Sequence, residues 1–283
     1  MIAIPLVSYV LAVLSLWVGL QINSFIFPIA VCISVLWECS DRRIRGYVRW
    51  TTTVAVLVVL SVTLGLSACI YDRSFDGQWY HACTIQELVN GWNPIYSSAC
   101  NPSLIDGYTV LWVEHYPRGI ETIAATIVSC VGNLDAGKAL NLWFVFSSIV
   151  YIFLFLCHCL PTMNKYLRIW IAWVVALNPV VINQMCTYYI NWTLYTLLVI
   201  FLIKHVSLFC ERDTKGFAYR FIVIVLYSGD KIQYFLLGRV VGRNLFLCIV
   251  EKKPLQTFLS IDCGMCGRCF VRDWCWCIQS LSD

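Results

Sequence analysis

Long uninterrupted apolar runs dominate this chain of 283 residues and constrain its fold more than any other feature. About 20 apolar residues in a helix cross the roughly 30 Å hydrocarbon layer of a bilayer. Only 13% of the residues are charged, against about 25% in water-soluble domains. The runs predict an all-α, polytopic membrane helix bundle. About six spans are expected, at Met1–Leu20, Ile22–Trp37, Thr51–Ile70, Ala139–Leu160, Ile169–Met185 and Thr193–Phe209. The first has neither the basic start nor the small-residue cleavage site of a signal peptide, so it is read as a retained helix. The segment Asp41-Arg42-Arg43-Ile44-Arg45, with Arg49 after it, fixes the loop between the second and third spans to the cytoplasm. The net charge of +4 sits in such short loops. It reports membrane orientation and gives no sign of a nucleic-acid partner.

Residues 71–138 are polar, aromatic and turn-rich, with seven acids and three bases. Within them Ile120–Val131 is apolar but short. If it spans, Lys165 and Arg168 fall outside the cytoplasm, against the positive-inside bias. If it lies along the membrane surface as an interfacial helix, both fall inside. The second reading makes 71–138 one exoplasmic loop containing interfacial helices, and 1–209 one transmembrane module.

Two clusters in this loop carry chemistry. Asp76 follows the outer end of a span, with Gly77 giving the backbone freedom behind it. Trp79, Tyr80 and His81 supply stacking surface and hydrogen-bond donors beside it. A carboxylate there can act as a general base or hold a divalent cation. The bland reading is an interfacial turn, since Trp and Tyr favour that depth. The second cluster, Glu114-His115-Tyr116-Pro117-Arg118-Gly119, combines an acid, an imidazole and a guanidinium able to grip phosphate. Its bland reading is a turn with solvated charges.

The stretch from Tyr71 to His81, followed by Gly91-Trp92-Asn93-Pro94 and His115-Tyr116-Pro117-Arg118-Gly119, resembles the first exoplasmic loop of GT-C-type membrane glycosyltransferases. Asp135 to Asn141 and Leu177 to Val181 resemble later stretches of such bacterial proteins. The resemblance covers roughly residues 50–205. It implies transfer of a sugar from a polyprenyl-phosphate carrier to an acceptor outside the cytoplasm, in a bacterial inner membrane. The family's essential loop acid maps onto Asp76. His81, Glu114 and His115 then line the substrate site, and Arg118 or Lys138 holds the lipid phosphate. The partners implied are membrane lipids and a lipid-linked sugar donor. Relatives often carry an Asp after the Tyr-Tyr of the second exoplasmic turn; this chain has Asn191. Such enzymes also continue with further helices. The alternative is a non-catalytic subunit or partner in envelope polysaccharide or glycolipid assembly. A transporter ranks last, because the spans carry almost no mid-bilayer charge.

The character changes after about residue 210. Ile232–Val250 carries Arg239 and Arg243 near its centre, and each costs roughly 2.5–3.5 kcal/mol at mid-bilayer. Ten of the sixteen cysteines precede residue 211, scattered through apolar runs. The other six crowd into 248–277. Cys263, Cys266 and Cys269 have the CxxCxxC spacing of a zinc or iron–sulfur site, with Cys275 or Cys277 as a fourth ligand. The flanks show no helical or strand period. The reading preferred is therefore an out-of-frame tail over 210–283, making the chain the front part of a longer and here inactive enzyme.

Overall fold

The computed structural model describes residues 1–40, 46–97 and 107–211. The chain divides into two units, Met1–Ile232 and Gln233–Asp283, and every described residue belongs to the first. The cysteine spacing of 263–269, the segment 232–250 and the arginines at 42, 43 and 45 lie outside the described residues.

All described elements are helical. In order they are α1 (Ala3–Trp17), α2 (Ile26–Ser40), α3 (Gly46–Cys69), a π-turn (Gly77–His81) running into α4 (Ala82–Val89), α5 (Gly107–His115), α6 (Gly119–Val131), a 3-10 turn (Leu134–Lys138) running into α7 (Ala139–Cys159), α8 (Lys165–Ala176), α9 (Pro179–Gln184) and α10 (Asn191–Glu211). Two helical stretches are long and apolar enough to cross a membrane: Trp50–Cys69, with mean hydropathy 2.1, and Leu134–Cys159, with mean hydropathy 2.2. Helix α3 leaves Trp50, Val54, Leu57, Val58, Val62 and Leu66 exposed along its length. That stripe has no protein partner among the described residues, and lipid is the solvent it suits.

Helices α1 and α2 are apolar but have 15 residues each. At 1.5 Å per residue each covers about 22 Å, short of the expected spans. The expected span at 169–185 is two helices, broken at Leu177-Asn178-Pro179. Asn178 accepts hydrogen bonds from the amides of Val180 (2.9 Å) and Val181 (3.1 Å), starting a new helix with Pro179 in its first turn. Proline has no amide to donate and fits a first turn at no cost.

Helix α6 differs most from its expected place. A helix lying on a membrane surface keeps one side out of the protein. Every residue of α6 from Gly119 to Val128 is buried. Ala124, Ala125 and Val128 pack with Ala12 and Leu16 of α1 and with Ile85 and Leu88 of α4. The small residues let the backbones approach closely, so α6 forms the centre of the bundle. Gly132, at φ +74°, ends it in the left-handed conformation that glycine adopts without strain. A smaller cluster of Ile152, Ala172 and Ala176 joins α7 to α8.

Candidate functional site

The segment after α3 is fixed by a buried carboxylate. Asp72 Oδ1 accepts from the Ser74 amide (2.8 Å) and the Ser74 hydroxyl (2.7 Å). Its Oδ2 accepts from the Tyr188 amide (2.7 Å), in the turn before α10. The Asp72 amide donates to Asp135 Oδ1 (3.3 Å), and its carbonyl accepts from Gln78 Nε2 (2.5 Å). Four chain segments are thereby stitched at one point. Gly77 serves this closeness and not the backbone freedom expected of it. A Cβ there would lie 2.2 Å from both Asp72 Oδ2 and Ser74 Oγ.

Asp76 comes next and is half-buried. Among the described residues it makes no hydrogen bond or ion pair. Beside it stands an aromatic wall. Phe75 and Trp79 rings lie 5.4 Å apart, and Trp79 lies 6.2 Å from Trp112 of α5. Tyr80 stacks on Trp112 at 5.5 Å and leans on Tyr116 at 5.2 Å. Burial pushes the Tyr80 phenol far above its ordinary pKa; Tyr116, Asp76 and Glu121 add to the rise. The phenol therefore stays neutral and a proton donor.

The π-turn ends on His81, which is 1% exposed. Its Nδ1 stands 2.5 Å from Oε1 of Glu121, itself 3% exposed. In the Nδ1–H tautomer or the imidazolium, the ring donates to the carboxylate. The other oxygen, Oε2, has no partner among the described residues. The positive end of α6 favours the Glu121 charge in its first turn.

Of the remaining expected site residues, Lys138 and Arg118 are tied into the fold. Lys138 is 1% exposed. Its ammonium donates to Asp135 Oδ1 (2.5 Å) and to the Ile70 carbonyl past the end of α3, and lies 5.9 Å from the centre of the Tyr188 ring. Burial also pushes the Tyr188 phenol upward, with Asp135 and Asp72 adding to the rise. Arg118 donates from Nε to the Val113 carbonyl (2.8 Å) and from Nη2 to the Glu114 carbonyl, capping α5, and its guanidinium lies 4.7 Å over Trp92. Glu114 is half-buried and His115 exposed, with its Nδ1 on the Leu111 carbonyl of its own helix at 3.0 Å. Gly91-Trp92-Asn93-Pro94 is a latch onto α1, through Asn93 Nδ2 on the Leu16 carbonyl at 2.8 Å. Asp76 and His81 thus share one structural unit, whereas Lys138 belongs to the Asp72–Asp135 lattice.

Among the described residues no group of three or more His, Cys, Asp or Glu side chains is gathered as a metal site. Asp76 offers a cation one carboxylate. Sequence reasoning missed Asp72, Glu121 and Asp135. The signal for Glu121 was available, since it is the lone acid in the apolar run Gly119–Val131. Comparison with protein-family models, curated proteins and solved structures finds no match to this chain.

Proposed function

We propose that this chain is a multi-pass membrane protein that takes a sugar from a polyprenyl-phosphate carrier and passes it to an acceptor outside the cytoplasm, with Asp76 as the base. One observation carries the reading. Asp72, Glu121 and Asp135 are engaged by neighbours, while Asp76 stands half-buried and unbonded among the described residues, beside an aromatic wall. In this reading the arginine loop lies in the cytoplasm, and Asp76, past the opposite end of α3, faces outward. Six crossings and a bacterial inner membrane belong to the same proposal.

The reaction asks little of the protein. The acceptor oxygen forms a bond to the sugar's anomeric carbon. The bond from that carbon to the carrier phosphate breaks, and the phosphate leaves as a stable anion. The acceptor proton passes to Asp76. Lys138 has no exposure with which to meet the phosphate, and Arg118 is folded over Trp92. Arg73, exposed three residues before Asp76 and unpaired among the described residues, takes that role.

The test uses the full chain in detergent with synthetic polyprenyl-phosphate sugars, reading release of polyprenyl phosphate. Asp76→Asn keeps the side-chain shape and removes the base. Release is expected to fall by about 10²–10⁴-fold. Undiminished release by the variant refutes the role of Asp76. No release by the parent chain favours the second reading, a non-catalytic partner in envelope polysaccharide or glycolipid assembly. The burial of Lys138 against Asp135 and the uncharged Asn191 support that reading.

A further inference from the structure

We infer that the buried His81–Glu121 pair is a positioning device for Asp76, acting through the π-turn between them; the inference rests on the role proposed for Asp76. A π-turn carries one residue more than the α-helix and persists only where outside contacts favour it. Here it is held at both ends. At its start Gly77 sits against Asp72 and Ser74, and Gln78 Nε2 bonds the Asp72 carbonyl at 2.5 Å. At its end His81 bonds Glu121 at 2.5 Å. The Tyr80 carbonyl, within the turn, accepts from the Thr84 hydroxyl at 2.7 Å.

The extra residue separates the directions of the two ends. Relaxation to an α-helix rotates everything after Asp76 by about 100°, the angle of one residue. With α4 held in the core by Ile85 and Leu88, that rotation swings Trp79 and Tyr80 off the wall beside Asp76. The bond from His81 to Glu121 opposes the relaxation.

Stability alone does not account for the pair. Burying a carboxylate and an imidazole costs solvation that a single hydrogen bond returns in part, and apolar residues of equal volume often serve as well or better. The second carboxylate oxygen, buried without a partner among the described residues, adds to that cost. A directional bond fixes one register where an apolar contact permits several.

The experiment compares His81→Leu with His81→Asn in the full chain, in detergent. The Asn amide nitrogen falls near the place of the imidazole Nδ1 and keeps the donor to Glu121. The first readout is the exciton couplet of Trp79 and Trp112, whose rings lie 6.2 Å apart at 52°; Trp79→Phe identifies it in the circular dichroism spectrum. The second is release of polyprenyl phosphate from the synthetic donors, resolved into kcat and KM. His81→Leu is expected to lose the couplet and to lower kcat by about tenfold to hundredfold, with the KM for donor little changed. His81→Asn is expected to keep both. Retention of the couplet by His81→Leu, or equal damage by the two variants, overturns the inference. Should His81→Leu fail to fold, Glu121→Leu replaces it by removing the acceptor; an unchanged couplet there overturns the inference equally. If the parent chain releases no phosphate, the proposed reaction fails on its own, and the couplet still decides what the pair does.

Discussion

Replacing Gly77 by alanine gives the sharpest test of the packing around the site. The added Cβ would lie 2.2 Å from Asp72 Oδ2 and from Ser74 Oγ. Ordinary contact begins near 3.4 Å, so each oxygen has to retreat by about 1 Å. Neither is the loose end of a long side chain. For Asp72 Oδ2, retreat means giving up the Tyr188 amide at 2.7 Å; for Ser74 Oγ, it means giving up Asp72 Oδ1 at 2.7 Å. Hydrogen bonds to a charged group contribute about 1.5–3 kcal/mol each. Alanine returns about 1 kcal/mol in helical propensity. The net expectation is a loss of about 2–5 kcal/mol, read from unfolding in mixed micelles titrated with SDS. Gly65→Ala in α3 is the matched control, because a Cβ there meets nothing within 4 Å. It should cost nothing. Adding Asp72→Ala to Gly77→Ala should cost much less than the sum of the single changes, since both remove the same bonds. A loss under about 0.5 kcal/mol for Gly77→Ala alone, with Asp72 intact, refutes the reasoning.

Two further outcomes follow from the same geometry. The Tyr80 and Tyr188 phenols are both raised from their ordinary 10.0, chiefly by burial. Their contribution to stability is therefore complete below about pH 10 and is lost as pH rises above it, because the unfolded phenols ionise first. Unfolding measured across that range should show a slope of about 1.4 kcal/mol per pH unit from each phenol, and Tyr188→Phe should halve it. Cys69 at the end of α3 and Cys130 near the end of α6 are exposed. In intact cells a membrane-impermeant thiol reagent should reach both from outside, and labelling of either only after lysis contradicts the proposed orientation.

The parts of the fold legible in the sequence were those bounded by charge or by helix-breaking residues. The expected spans at 51–70 and 139–160 are α3 and α7 to within a few residues, because arginines and the Asp135–Lys138 turn delimit them. The last was expected to begin at Thr193, and α10 begins at Asn191. Asn178-Pro179 was equally visible, but a hydropathy reading averages over a single break. Helix α6 was misplaced because its short length and the cytoplasmic placement of Lys165 and Arg168 were weighed as membrane signals. A short apolar helix buried in protein has the same composition as one lying on lipid. At the site, Asp76 and His81 were legible as chemistry beside aromatic rings. The binding of Lys138 by Asp135 and the Ile70 carbonyl was not, since nothing in a linear motif tells a free cation from a paired one.

The Asp72 carboxylate has a consequence for the order of assembly. Its bond to the Tyr188 amide joins residues 116 apart in the chain. A ribosome adding about 5–20 residues per second needs roughly 6–23 seconds to cover that interval. Throughout it α3 is already made and α6 is added on the way, while a buried acid lacks one of its donors. This bond closes late, so that end of the nascent bundle stays open to chaperones and proteases until the turn before α10 arrives. A side chain that holds the finished site together thus also times when it becomes finished.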